Sequence, residues 1–148
     1  MGNNIIVIAT LVGACLAPLL ASKLTTRTII IGGQLLEAIF ISLVGLFTMQ
    51  EQYELLIIFM FAHLCTFQLG MSNVFWIYVG SIACEKANAI AGGVIWGGLL
   101  LFSLFTQTLF AWFTPAGIFF SFGGLCFIGV IVFISTIKQT HGLTKEEI

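Results

Sequence analysis

The chain has 148 residues, of which 59% are hydrophobic and 7% charged, with a formal net charge of −1. Soluble domains carry about a quarter charged residues, so this composition, with a mean hydropathy of +1.14, excludes a soluble globular domain and reads as an integral membrane protein. Fifteen Phe and no Asp agree with that reading, and no basic patch is present to hold nucleic acid.

Hydropathy divides the chain into five apolar segments, and none alternates as a barrel strand would. The fold class expected is an all-α membrane protein of five transmembrane helices. The first segment is 5–21. MGNN carries no Lys or Arg ahead of it, whereas a cleaved secretory leader needs a basic start. The sixth residue is also not the Ser or Thr of a myristoylation signal. This segment is therefore expected to be a permanent span.

The second segment is 28–49, opening on Gly32 and Gly33. Glu37 lies about one third of the way into it from the end nearer Arg27. A carboxyl there reads either as a proton or ion site, or as a side chain turned to a polar interface near the headgroups.

The third segment, 55–80, is the one around which the rest is read. It is about 26 residues without a charge. At ~1.5 Å per residue it exceeds a ~30 Å hydrocarbon core. Its polar residues gather in its second half: Gln68, Ser72 and Asn73, followed by Trp76 and Tyr78. Such groups are costly in lipid and should face protein or a cavity. Gly70 among them loosens the helix there. His63, mid-span, reads either as a titrating or ligand-binding group or as a hydrogen-bonded packing residue.

The fourth segment is 89–112. Ala89, Gly93 and Gly97 recur every fourth residue, a spacing that lets helix backbones approach closely. Gln107 is expected to donate a hydrogen bond between helices. The fifth segment is 116–137. Thr114 followed by Pro115 suits its start, with Thr as N-cap and Pro in the first turn. The tail, 138–148, is polar, and Thr144 with Glu147 has the spacing of a capping box. Connectors of two to six residues predict that successive spans lie as antiparallel neighbours.

An alternating path places the first connector, the third connector and the tail on one side. That side holds Lys23, Arg27, Lys86, Lys138 and Lys145, which are all the basic residues of the chain. The other side has Glu51 and Glu54. The positive-inside rule then puts the C-terminus on the cytoplasmic side and the N-terminus outside.

Chemistry-bearing constellations are not found. Cys15, Cys65, Cys84 and Cys126 are scattered without a CxxC and read as small hydrophobes, not as a disulfide or zinc framework. There is no Ser/His/Asp arrangement, no carboxylate pair in a plausible site and no phosphate loop; GGVIWGG lies inside a span without a following Lys-Ser or Lys-Thr. Neither an enzyme, a metal nor a cofactor is expected.

The tail KQTHGLTKEEI resembles P-E-T-K-G-L-T-x-E-E-I, which closes sugar porters of the major facilitator superfamily. Thr140, Gly142, Leu143, Thr144, Glu146, Glu147 and Ile148 match, while Lys138, Gln139 and His141 depart. FQLGMSNVFWIYVGSI resembles that family's tenth helix, F-E-x-G-x-G-x-x-P-W-x-x-x-x-E. Phe67, Gly70 and Trp76 match there, and Gln68 stands where Glu is usual. SKLTTRTIIIGG resembles a worn D-R-x-G-R-R-x-L-L-x-x-G, retaining Arg27. The register implies helices eight to twelve of a twelve-helix transporter, a partial C-terminal lobe.

That resemblance implies alternating-access transport of a sugar or similar small solute, with the site near the midplane between two halves. It assigns Phe67, Gln68 and Trp76 to the sugar site. It also exposes departures. The family's Asn-Trp pair in helix eleven falls on Leu99 and Leu100, and a following Asn on Ser103. Its gate Glu falls on Ser81 and the next Arg on Asn88. Two helix-ten prolines are Asn73 and Phe75, which predicts loss of the hinge. Two functions follow. The chain either forms part of a transporter completed by further helices, or is a transport-inactive relic serving as a structural subunit of a larger membrane complex. The expected partners are membrane lipids, a protein completing the fold or the complex, and a sugar.

Overall fold

The computed structural model describes residues 2–137, and within them every regular element is helical. The polar tail, its seven motif matches and the capping box lie outside the described residues. In order come α1 (Gly2–Ala21), α2 (Thr26–Met49), α3 (Tyr53–Phe67), a π-helical segment (Gln68–Val74), α4 (Phe75–Ile82), α5 (Glu85–Trp112) and α6 (Pro115–Thr136). The segments Tyr53–Phe67, Gln68–Val74 and Phe75–Ile82 run on as one 30-residue rod.

Four helices are long and apolar enough to cross a membrane: α2, the Tyr53–Ile82 rod, α5 and α6. The apolar part of α1, Ile6–Ala21, is shorter. The protein is an all-α, multi-pass membrane protein, and most of its large apolar side chains are exposed toward what would be lipid or neighbouring protein.

Local signals set the helix ends. Thr25 caps α2 by accepting from the Thr28 amide at 3.3 Å, and Thr114 caps α6 by accepting from the Gly117 amide at 3.2 Å, with Pro115 in the first turn. The α2–α3 connector turns at Glu51, whose φ of 56° lies in the left-handed region.

The organising helix is α2. Its buried residues, among them Ile30, Gln34, Glu37, Ala38 and Gly45, recur every three or four positions and form one stripe. That stripe meets α6 in antiparallel register. Gly45 lies against Ala116 and Phe119, Ser42 against Gly123, Gln34 against Gly129, and Arg27 Nη2 donates to the Ile134 carbonyl at 3.0 Å. Apolar side chains gain nothing from leaving lipid for each other, so membrane helices associate through close van der Waals contact, which small residues permit.

A second face of α2 meets the rod. Gly33 and Gly70 touch backbone to backbone, and Phe40 and Phe47 pack on Phe59 at ring separations of 6.2 and 5.2 Å. Near the Arg27 end, Ile29, Ile30, Val74, Tyr78 and Ile137 close a core that joins α2, the rod and the residue following α6.

Two expectations need correction. Short connectors predict that successive helices pair, and α2 does pack on the rod that follows it, yet its contact with the distant α6 is as extensive, and α1 lies on α3 with little contact to α2. A short connector holds two helix ends together. It does not decide which faces pack, and those are the faces carrying glycine. The second concerns α5. A Cβ at Gly93, Gly97 or Gly98 would meet nothing within 4 Å, and α5 buries no residue at all. The small-residue spacing there packs no helix among the described residues.

Candidate functional site

Seven residues in the middle of the rod leave α-helical geometry. From Gln68 to Val74 the backbone is π-helical, closing with the Phe75 amide donating to the Gly70 carbonyl. A π turn holds an extra residue, widens the helix and re-aims the side chains around it; such turns often occur at functional sites. Absence of the two family prolines predicts an unbroken rod here. The irregularity arises from other residues. Asn73 Nδ2 donates to the Gln68 carbonyl at 2.8 Å, five residues back. Gly70 has no side chain, which lets this turn press against Gly33.

On the outer side of this segment lies a cleft of about 470 Å³. The rod contributes Phe67, Ser72, Phe75 and Trp76, α5 contributes Trp96 and Leu99, and Phe133 of α6 stands at its edge. Phe75 and Trp76 meet edge to face at 5.9 Å. The walls are therefore aromatic. Ser72 and the two tryptophans are the lining residues whose side chains carry a hydrogen-bond donor. Flat aromatic faces with a few donors suit a ligand with apolar C–H faces and hydroxyl edges.

The polar cluster at the rod's centre is split by the fold. Phe67 and Trp76 share the cleft. Gln68 lies on the α1 side, where a Cβ on Gly13 would sit 2.6 Å from Gln68 Cβ. The Asn73 side chain is engaged by its own helix. Ser72 alone of the three polar residues lines the cleft. Trp96, which sequence reasoning passed over, is its other large aromatic; it lies one turn before Leu99, where the family's Asn falls, and that spacing is the signal that would have found it.

The remaining polar residues fall elsewhere. Because α2 begins at Thr26, Glu37 lies midway along the helix and is buried in the α2–α6 seam, not turned to a headgroup interface. His63 is half-buried on α3, and its Nδ1 has no hydrogen-bond partner among the described residues. Gln107 is exposed on α5 and makes no interhelical hydrogen bond among the described residues. No group of three or more His, Cys, Asp or Glu residues comes together for a metal among the described residues.

Comparison with known proteins decides the family. The whole chain, residues 1–148, matches the family described as "Sugar (and other) transporter". The chain belongs to the sugar (and other) transporter family. It is 30% identical over 87 residues to "Sugar transporter ERD6-like 8" of Arabidopsis thaliana, covering 56% of this chain and 18% of that protein. It is 29% identical over 86 residues to "Facilitated trehalose transporter Tret1" of Drosophila pseudoobscura pseudoobscura, covering 55% of this chain and 10% of that protein. A third relative, "Myo-inositol transporter 1" of Candida albicans, is 30% identical over 95 residues, covering 62% and 17% respectively. The matched region thus spans less than a fifth of these curated relatives. No solved structure matches the chain. As a member of the sugar (and other) transporter family, the protein is similar to sugar, trehalose and inositol transporters over part of their length.

Proposed function

We propose that these five helices form part of a porter for a sugar or polyol, moving it by alternating access together with the helices that complete two lobes, whether those belong to the same or another chain. The observation that carries this reading is the aromatic cleft beside the π-helical segment, on the one rod whose sequence resembles the family's tenth helix. Phe67 and Trp76 offer ring faces to the solute. Gln68 joins the site when the π turn rearranges, since a one-residue change in register would swing it off α1. The relatives' printed names, which speak of sugar, trehalose and myo-inositol, support a polyhydroxylated solute.

Uptake by vesicles that hold this chain with its completing helices tests the proposal. Trp76→Ala removes a stacking face worth about 0.5–1.5 kcal/mol. It should lower uptake of the preferred sugar or polyol by up to about tenfold. Gln68→Leu should lower it also. Unchanged uptake in both variants would sink the site assignment.

One observation favours a second reading, a structural subunit that moves no solute. The cleft carries Leu99 where the family has Asn, and Ser72 is the hydroxyl-bearing residue that lines it. On that reading no sugar or polyol is taken up, and removing the chain destabilises a complex that co-purifies with it.

For orientation, we place the N-terminus outside and the C-terminus on the cytoplasmic side. The support is the gathering of every Lys and Arg on one side of the alternating path.

A further inference from the structure

Glu37 is the one carboxyl that the described structure buries. It lies midway along α2, inside the seam with α6, and is 8% exposed. Its Oε2 has no hydrogen-bond partner among the described residues. Gln34, one turn earlier and 7% exposed, is engaged elsewhere: its Nε2 points to the Cys126 carbonyl at 3.5 Å, the outer limit of a hydrogen bond.

An ionised carboxylate at this place would need a cation. The helices packed on α2 do not bring one, since α1, the rod and α6 contain no Lys or Arg. Arg27, the only cation of α2, is spent at the helix end on the Ile134 carbonyl. The titratable group that faces Glu37 from α6 is the Cys126 thiol. The other packed elements carry Tyr53 and Glu54 at the start of α3, His63 and Cys65 further along it, Tyr78 on α4 and Cys15 on α1, and Cys65 is turned to α1, where its Sγ donates to the Ala9 carbonyl at 3.5 Å. An unpaired buried charge is far costlier than a neutral acid, so such a group takes up a proton.

We propose that Glu37 is a proton-binding site within the membrane, neutral while the α2–α6 seam is closed and able to exchange its proton with water. Exchange has a direction built into the helix. Arg27, Gln34 and Glu37, spaced seven and three, lie along one face of α2, so polar groups lead from the carboxyl to the helix end beside the first connector. Opening the seam from that end would admit water to Glu37 before it reached the Gly45–Phe119 end.

Infrared titration of the full chain in lipid vesicles tests this without reference to solute movement. With glutamate 13C-labelled at its side-chain carboxyl, a protonated-acid carbonyl band with the isotope shift should be present at pH 7. All other Glu residues of the sequence lie in connectors, helix ends or the tail. The band should fall as pH is raised, while carboxylate absorption rises by the same amount, and Glu37→Gln should remove it. Two results overturn the proposal: no protonated-acid band at pH 7, meaning that Glu37 is ionised, or a band that persists unchanged into alkali, meaning that its proton is locked in. The wild-type titration stands by itself if Glu37→Gln fails to fold.

Discussion

Gly33 and Gly70 meet with no side chain between them. A Cβ added at Gly33 would lie 3.1 Å from Gly70 Cα, and a Cβ at Gly70 would lie 3.3 Å from Gly33 Cα, with backbone as the obstacle in both directions. Backbone cannot rotate away as a side-chain end can. Gly33→Val should therefore destabilise the α2–rod contact by about 1–3 kcal/mol, the usual cost of overpacking a filled interface. A lower thermal midpoint in mild detergent would report it. Asn73 works at the same scale. Its side chain donates to the Gln68 carbonyl across the π turn, so Asn73→Leu should cost about 1 kcal/mol and loosen the segment. Faster hydrogen exchange over Gln68–Val74 would be the sign; unchanged protection would mean that the π turn is held by the Gly33–Gly70 contact alone.

At the scale of the element, two helices rich in glycine behave differently. A Cβ on Gly123 of α6 would run into Ser42 and the Ala38 carbonyl, whereas one on Gly97 of α5 would meet nothing within 4 Å. The same residue type at similar spacing is a packing seam in one helix and a bare face in the other. Gly123→Leu should lower stability by more than 1 kcal/mol. Gly97→Leu should stay within about 0.5 kcal/mol when the chain is measured by itself. If Gly97→Leu is neutral to the isolated chain yet reduces uptake once the completing helices are present, the bare face of α5 is where those helices lie. Equal losses for both variants in the isolated chain would mean that α5 packs more closely on this chain than the described contacts allow. Trp96, at 70% exposure on that helix, belongs to the same face.

For the whole molecule, the proposed path rests on two sidedness signals, one of charge and one of packing, and Arg27 takes part in both. One is charge: the alternating path proposed above would gather every Lys and Arg of the sequence on one side. The other is packing: the antiparallel seam runs from Arg27–Ile134 at one end to Gly45–Ala116 at the other, which puts the start of α2 and the end of α6 on the same side. Cys84, exposed at the start of α5, lies on the basic side of that path. With the other cysteines replaced, a membrane-impermeant maleimide should reach Cys84 from the cytoplasmic face alone. A cysteine placed at Gln52, exposed in the opposite connector, should react from the outer face alone. Reaction of both from one face would undo the five-span path.

Composition alone determined that this chain lives in a membrane and is helical, because hydrocarbon leaves the backbone no partner but itself and apolar runs of this length have no other stable form. Thr114 with Pro115 was legible for a similarly local reason: an N-cap needs only its own first turn. The pairing of α2 with α6 was not, since α2, the rod, α5 and α6 all carry glycine and only the assembled fold decides which of them find a neighbour. The site shows the same division. Phe67, Gln68, Ser72 and Trp76 stand close together in sequence, but the π turn, held by a side-chain bond and a backbone contact from another helix, sends Phe67, Ser72 and Trp76 to the cleft and Gln68 to α1. Trp96 joins them from a helix that the sequence alone could not place, because an apolar exterior carries no mark of which part faces lipid and which faces protein.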